Sequence, residues 1–249
     1  MRASFRFYAE LNDFLPLERR QKEFTYEVRG NPAVKDAIEA LGVPHTEIDL
    51  ILVDGRSVDF TYLLQDDDRV SVYPVFEAMD ITPLIRLRPA PLREVRFILD
   101  THLGRLAGYL RMLGFDTLYS NDCDDDALAQ IASQEKRILL TKDRGLLKRN
   151  IVTHGYCVRS TYPREKLIEV LRRFDLLDRV QPFARCIRCN GVLEEVAKFV
   201  VQDQLPPKVK EGHDEFRRCQ SCGQVYWKGT HYDHMQQFLE GVLREVQTD

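Results

Sequence analysis

The sequence predicts an α/β domain with a mainly parallel sheet, preceded by a small α+β domain and followed by a ribbon built on cysteine knuckles. Three observations carry this. From residue 95 to residue 178 short apolar runs alternate with helical patterns, which is how parallel strands and their crossover helices read. Residues 1–80 read ββαββ, the content of one small sheet covered by a single helix. Near the C-terminus two Cys-x-x-Cys pairs stand 29 residues apart. The 249 residues are 44% hydrophobic and 30% charged, a globular composition. No apolar run approaches the ~18–20 residues of a membrane span, and MRASFRFYAE lacks the apolar stretch of a signal peptide. The expected location is therefore the cytoplasm, without a membrane partner. In that reducing compartment paired cysteines read as metal ligands before disulfides.

In the first domain, Ser4-Phe5-Arg6-Phe7-Tyr8 and the segment Glu23 to Val28 alternate as half-buried strands. A short helix follows Gly30-Asn31-Pro32, from Ala33 to Leu41, and Gly42 stops it. Leu50 to Val53 and Arg69 to Val75 read as further strands, with Asp54-Gly55 a tight-turn signal before Val58. The stretch Leu64-Gln65-Asp66-Asp67-Asp68-Arg69-Val70-Ser71-Val72-Tyr73-Pro74-Val75 resembles the ubiquitin-like β-grasp group that includes the MoaD and ThiS sulfur carriers. Those carriers act through a free C-terminal Gly-Gly, whereas this chain continues through Phe76-Glu77-Ala78-Met79. The resemblance thus implies a docking or structural role, with a protein partner, for residues 1–80. Pro83, Pro89 and Pro91 disfavour helix and suit a connector to a second domain over residues 92–178.

Charge separates the parts. Residues 1–85 hold nine Lys+Arg against sixteen Asp+Glu, and residues 86–179 hold eighteen against thirteen. A polyanion would meet the basic middle rather than the acidic start.

In the middle domain Val95-Arg96-Phe97-Ile98-Leu99 is a strand that runs into Asp100. Leu103, Leu106, Ala107, Leu110 and Leu113 recur at helical spacing, and Gly114 stops that helix. Phe115 to Tyr119 is a second strand; Asp124-Asp125-Asp126 opens a helix through Leu128, Ile131 and Ala132. Arg137 to Thr141 is a third strand, followed by Lys142-Asp143. A strand from Tyr156 to Arg159 leads to a helix from Pro163 to Phe174, capped by Ser160 or Thr161.

Aspartates at the carboxyl ends of parallel strands share one rim, where open sheets bind ligands. Clustered carboxylates repel unless a cation neutralises them, and Mg²⁺ or Mn²⁺ does so through oxygen ligands. Lys142, Arg144, Lys148 and Arg149 flank Asp143 and suit the phosphates of a polyanion. The plainer alternative is that these aspartates cap turns and helices.

Three stretches point further: Phe97 to Ala107, Leu110 to Thr117, and Arg137 to Arg144. They are similar to the Mut7-C family, a branch of the PIN-domain nucleases, with a likeness that runs from residue 95 to about residue 240. The resemblance implies a PIN-like metal-dependent ribonuclease. Position by position it implies Mg²⁺ or Mn²⁺ carboxylates at Asp100, Asp125 and Asp143, with Asp124 and Asp126 beside them. An RNA-binding module without catalysis and an adaptor recruited through the β-grasp are the rival readings.

The C-terminal knuckles, Cys186-Ile187-Arg188-Cys189 and Cys219-Gln220-Ser221-Cys222, offer four thiolates to one tetrahedral structural zinc, giving a zinc ribbon over residues 183–245. Gly191 and Gly223 ease the turns, and Pro206-Pro207 with residues 208–212 reads as a loop inside the ribbon. Redox pairs are the alternative, without the strand-to-helix setting they need. Cys123 and Cys157 read as packing residues. Trp227 to Tyr232 and His234 form an edge that either contacts RNA or packs Trp227 on the ribbon.

Overall fold

The structure, a computed structural model, describes residues 1–74, 87 and 94–248. The expected connector, the strand end at Val75 and the tail at Met79-Asp80 fall outside them, Leu87 excepted. In chain order the strands are β1 (Arg2–Phe7), β2 (Phe24–Glu27), β3 (Ile48–Val53), β4 (Arg56–Val58), β5 (Arg69–Pro74), β6 (Arg96–Leu99), β7 (Asp116–Tyr119), β8 (Ile138–Thr141), β9 (Gly155–Cys157), β10 (Leu193–Val196), β11 (Phe216–Cys219) and β12 (Val225–Trp227). The helices are α1 (Val34–Ala40), α2 (Gly104–Met112), α3 (Asp125–Gln134), α4 (Arg144–Leu147), α5 (Pro163–Arg173), α6 (Lys198–Val201), α7 (Pro207–Gly212) and α8 (Thr230–Gln247). The chain divides into two compact units, Met1–Glu94 with Cys123–Cys157, and Val95–Asp122 with Val158–Asp249.

The first unit opens with a five-stranded sheet in the order β2-β1-β5-β3-β4. β1 and β5 run parallel, from Ser4 opposite Arg69 to Phe7 opposite Val72, and the remaining pairings are antiparallel. Alternation decides the faces. Ala3, Phe5 and Phe7 of β1, Val70 and Val72 of β5 and Ile51 and Val53 of β3 are buried, and α1 contributes Val34, Ala37 and Ile38 to the core. Asp54 and Gly55 both take positive φ, 47° and 79°, the backbone of a tight hairpin joining β3 to β4. The 3-10 turns at Ala9–Phe14, Leu17–Arg19 and His45–Glu47 lie between these strands and carry no sequence periodicity that reveals them. The same unit holds α3, β8, α4 and β9. β8 is wholly buried and pairs β9 in parallel, Leu139 opposite Gly155.

In the second unit β6 and β7 run parallel in register, Arg96 opposite Asp116 through Leu99 opposite Tyr119. Their crossover, α2, buries Leu106, Ala107 and Leu110; each such leucine contributes roughly 1.5–3 kcal/mol. α5 buries Leu167, Ile168, Val170 and Leu171. Pro163 opens it as expected, but the N-cap is Tyr162 and makes no side-chain cap, which corrects the expectation of Ser160 or Thr161. Instead the Glu169 carboxylate accepts the N–H groups of Arg159 at 2.7 Å and Ser160 at 2.8 Å. The segment entering the helix is thus tied down by a glutamate from the helix's own second turn rather than by a hydroxyl cap.

β10, β11 and β12 form an antiparallel sheet in that order. Residues 208–212 are not loop: they form α7, with Pro207 at its first turn, where a missing N–H costs nothing. α8 was not foreseen, yet its buried Leu239, Val242 and Val246 follow helical spacing.

Candidate functional site

The C-terminal knuckles build a compact site. Each is a tight turn: Asn190 N–H donates to the Cys186 carbonyl at 2.8 Å and Gly223 N–H to the Cys219 carbonyl at 3.0 Å. The ligand atoms of Cys186, Cys189, Cys219 and Cys222 all lie within 4.8 Å of one another, so among the described residues these four can hold a metal ion. Gly191 is obligatory here. A Cβ on it would sit 2.5 Å from Ser221 Oγ and 2.7 Å from Cys219 Sγ. Burial, reinforced by neighbouring sulfurs, pushes the Cys189 thiol up to about 12. Burial also acts on Cys219, but the N–H groups of Cys222 and Ser221 together with the thiols of Cys189 and Cys222 outweigh it and hold that thiol at about 7. A cation removes the conflict between close sulfurs, and a set of four thiolates suits zinc.

Three residues that support this site escaped the sequence reading. Arg111, buried in α2, donates from Nε to the Thr117 carbonyl at 2.9 Å, and from Nη1 to the carbonyls of Ile187 at 3.0 Å and Arg188 at 3.1 Å. It therefore ties the first knuckle to α2 and β7. Burial draws its pKa down, while the Cys186 and Cys189 thiols and Asp116 push back. Asn190, in a left-handed conformation with φ 71°, accepts the Thr117 N–H at 2.9 Å and donates to Asp116 Oδ1 at 2.8 Å. The Tyr226 hydroxyl stands 3.0 Å from Cys186 Sγ, and burial and that thiol raise its pKa. A signal for Arg111 existed: it lies four residues after Ala107 on the apolar face of α2, where a cation requires partners.

The expected carboxylates occupy element ends. Asp100 directly follows β6 and is buried; its Oδ1 accepts the Thr101 hydroxyl at 3.0 Å, and its carbonyl accepts Leu103 N–H at 2.9 Å. Asp143, exposed and two residues past β8, caps α4 by accepting Gly145 N–H at 2.7 Å. Asp124 caps α3 through Ala127 N–H at 2.8 Å, Asp125 is exposed in the first turn, and Asp126 pairs with Arg149. None of these aspartates belongs to the close metal-binding group formed by the cysteines.

The basic residues around Asp143 divide. Among the described residues Lys142 is exposed and makes no hydrogen bond or ion pair. Arg149 is held by Asp126. Arg144 and Lys148 donate to backbone carbonyls of the N-terminal domain, to Phe14 at 3.1 Å and Glu39 at 2.5 Å respectively.

Trp227 packs against the cluster of Val201, Leu205, Phe216 and Val225, so packing accounts for it. A cavity of about 960 Å³ adjoins it, lined by Phe183, Tyr226 and Tyr232 among others. Cations at this edge are paired, Lys228 with Glu215 at 2.6 Å and Arg217 with Glu195 at 3.6 Å.

Comparison with known families places these parts. The Mut7-C RNAse domain family model matches residues 95–239, and the Mut7-C ubiquitin family model matches residues 1–80. No protein with a curated description matches the chain. Among solved structures, the crystal structure of SAMP1 from Haloferax volcanii is similar at 17% identity and a TM-score of 0.26, covering 32% of this chain and 100% of that one.

Proposed function

The chain belongs to the Mut7-C RNAse domain family, and from that premise we propose that it hydrolyses RNA phosphodiesters with the help of a divalent metal ion. The carrying observation is that Asp100 and Asp143 each follow the carboxyl end of a parallel strand, β6 and β8. Carboxylate oxygens are the donor set that Mg²⁺ or Mn²⁺ takes, and Asp100, Asp125 and Asp143 would hold the ion, with Asp124 and Asp126 at its margin. When bound, such an ion activates water and offsets charge on the phosphate. The chain's own part is to orient the carboxylates and hold the RNA. The Thr101 hydroxyl and the Gly145 N–H each fix one carboxyl oxygen, and Lys142, which has no partner among the described residues, is the phosphate contact beside Asp143. The cysteine group is assigned one structural zinc, whose four sulfurs leave no open position. We assign the domains to residues 1–80, 92–178 and 183–245, and the ubiquitin-like part to protein interaction. Among the described residues no helix is long and apolar enough to cross a membrane.

RNA binding without cleavage is the second reading. It draws on Asp124 and Asp143 acting as helix caps. Incubating total RNA with the protein and Mn²⁺, beside an Asp143→Asn control, separates the two. Cleavage by the wild type alone supports the nuclease; no cleavage with retained, salt-sensitive binding supports the second reading.

A further inference from the structure

The N-terminal domain grips a particular strip of the nuclease region, residues 144–157, within one compact unit. The Arg144 guanidinium lies over the Phe14 ring at 4.9 Å and donates to the carbonyls of Phe14 at 3.1 Å and Asp13 at 3.4 Å. Lys148 Nζ donates to the Glu39 carbonyl at 2.5 Å. Around them, His45 bridges Glu39 Oε1 at 2.7 Å and the Val152 carbonyl at 3.0 Å, Cys157 N–H donates to Glu47 Oε1 at 2.6 Å, and Lys35 donates to Asn150 Oδ1 at 2.5 Å. Two of the four cations that flank Asp143 in sequence thus end on the neighbouring domain.

What they end on matters. Both cations meet backbone carbonyls, which are neutral acceptors, and among the described residues neither is given a carboxylate. The charged donors already make these bonds charge-assisted, and a phosphate adds the attraction of a full opposite charge and a bidentate acceptor that a carbonyl does not offer. The contact is therefore of a kind that RNA can replace. We infer that Arg144 and Lys148 form one surface that the ubiquitin-like domain and RNA phosphates occupy in turn, so that the domain regulates access to the nuclease region by covering it. This rests on the nuclease reading above.

The test loosens the grip without touching either cation. His45→Ala removes the bridge to Val152, and Glu39→Lys, a second route should the first variant fail to fold, places a like charge beside Lys148. Hydrogen exchange over residues 144–157 reads the opening. Anisotropy of a fluorescein-labelled oligouridylate, without added Mg²⁺ or Mn²⁺, reads binding against salt. The expected result is faster exchange, tighter binding and a salt slope steeper by about 1.4, for two added contacts at about 0.7 each. Adding Arg144→Ala and Lys148→Ala to the loosened protein should cancel both gains. Faster exchange with wild-type affinity and slope overturns the inference and leaves the nuclease reading standing. Unchanged exchange in both variants shows that these contacts do not hold the strip, which also overturns it. If neither wild type nor variant binds RNA, the nuclease reading fails and the inference with it.

Discussion

The two chemistry-bearing regions of this chain are built differently. The cysteine site is assembled: four sulfurs converge within 4.8 Å, and the buried Arg111 of α2 and the half-buried Tyr226 of β12 reach the knuckles. The aspartate positions are dispersed over element ends. Asp124, Asp125, Asp126 and Asp143 are exposed, and two of them are helix caps. Four cysteines converging in this way suit few roles besides holding a metal, so their spacing in sequence points to their chemistry. A carboxylate at a strand or helix end already has a role in the fold, and its chemistry depends on partners from distant segments.

The largest effect expected from this contrast lies at the cysteines. Structural zinc in small peptides is worth roughly 10–16 kcal/mol of apparent binding free energy. Cys186→Ser with Cys219→Ser, or prolonged chelation, should disorder β10 to β12 and shift the fluorescence of Trp227, the chain's one tryptophan. Elemental analysis of chelator-free protein should find one zinc per chain. An unaltered fold in the double variant would reduce the cluster to packing.

Next comes Asp143→Asn. The cap survives, since Asn caps a helix about as well as Asp, so stability should be unchanged while Mn²⁺-dependent cleavage is lost. RNA affinity should hold or rise, because a negative charge has left the phosphate path. Cleavage that survives the substitution would return Asp143 to a purely structural role and erase the contrast from the other side.

How much of this was legible in the sequence follows the same division. Period-2 alternation located β1 and β2 and helical spacing located α2 and α3, because each signal is local and each element has one face turned inward at least in part. The knuckles were legible for the reason given above. Arg144 and Lys148 read as phosphate ligands because charge in a sequence carries no direction; only the fold reveals that the Phe14 and Glu39 carbonyls face them. α7 was missed because two prolines read as a loop, although a proline is at home in a first helical turn.

A smaller effect tests how the assembled site is held. Arg111→Met keeps an unbranched apolar stem and removes the fork, leaving the carbonyls of Thr117, Ile187 and Arg188 without that donor. The buried Thr117 acceptor so stranded costs roughly 1–3 kcal/mol, and the part-buried carbonyls of Ile187 and Arg188 less, since water reaches them. Thermal unfolding should reveal the loss, and hydrogen exchange should rise first at the 186–191 knuckle. Arg111→Lys should not restore it, because a point ammonium cannot address carbonyls that the planar fork reaches together. Full rescue by lysine would mean that charge, rather than geometry, secures the knuckle.

The smallest effect separates neighbours in the acidic triplet. Asp124 accepts Ala127 N–H at 2.8 Å, so Asp124→Ala should cost about 1 kcal/mol through loss of the α3 cap. Cleavage per folded molecule should be nearly unchanged, and Asp124→Ser should recover the stability. Asp125 makes no such cap, so Asp125→Asn should leave the melting temperature in place and depress Mn²⁺-dependent cleavage. Paired melting and cleavage measurements on the three variants thus assign one role to each adjacent aspartate. If Asp124→Ala depresses cleavage as strongly as Asp125→Asn while Asp124→Ser restores stability alone, Asp124 serves the metal as well as the helix, and the boundary between fold and chemistry runs through a single side chain.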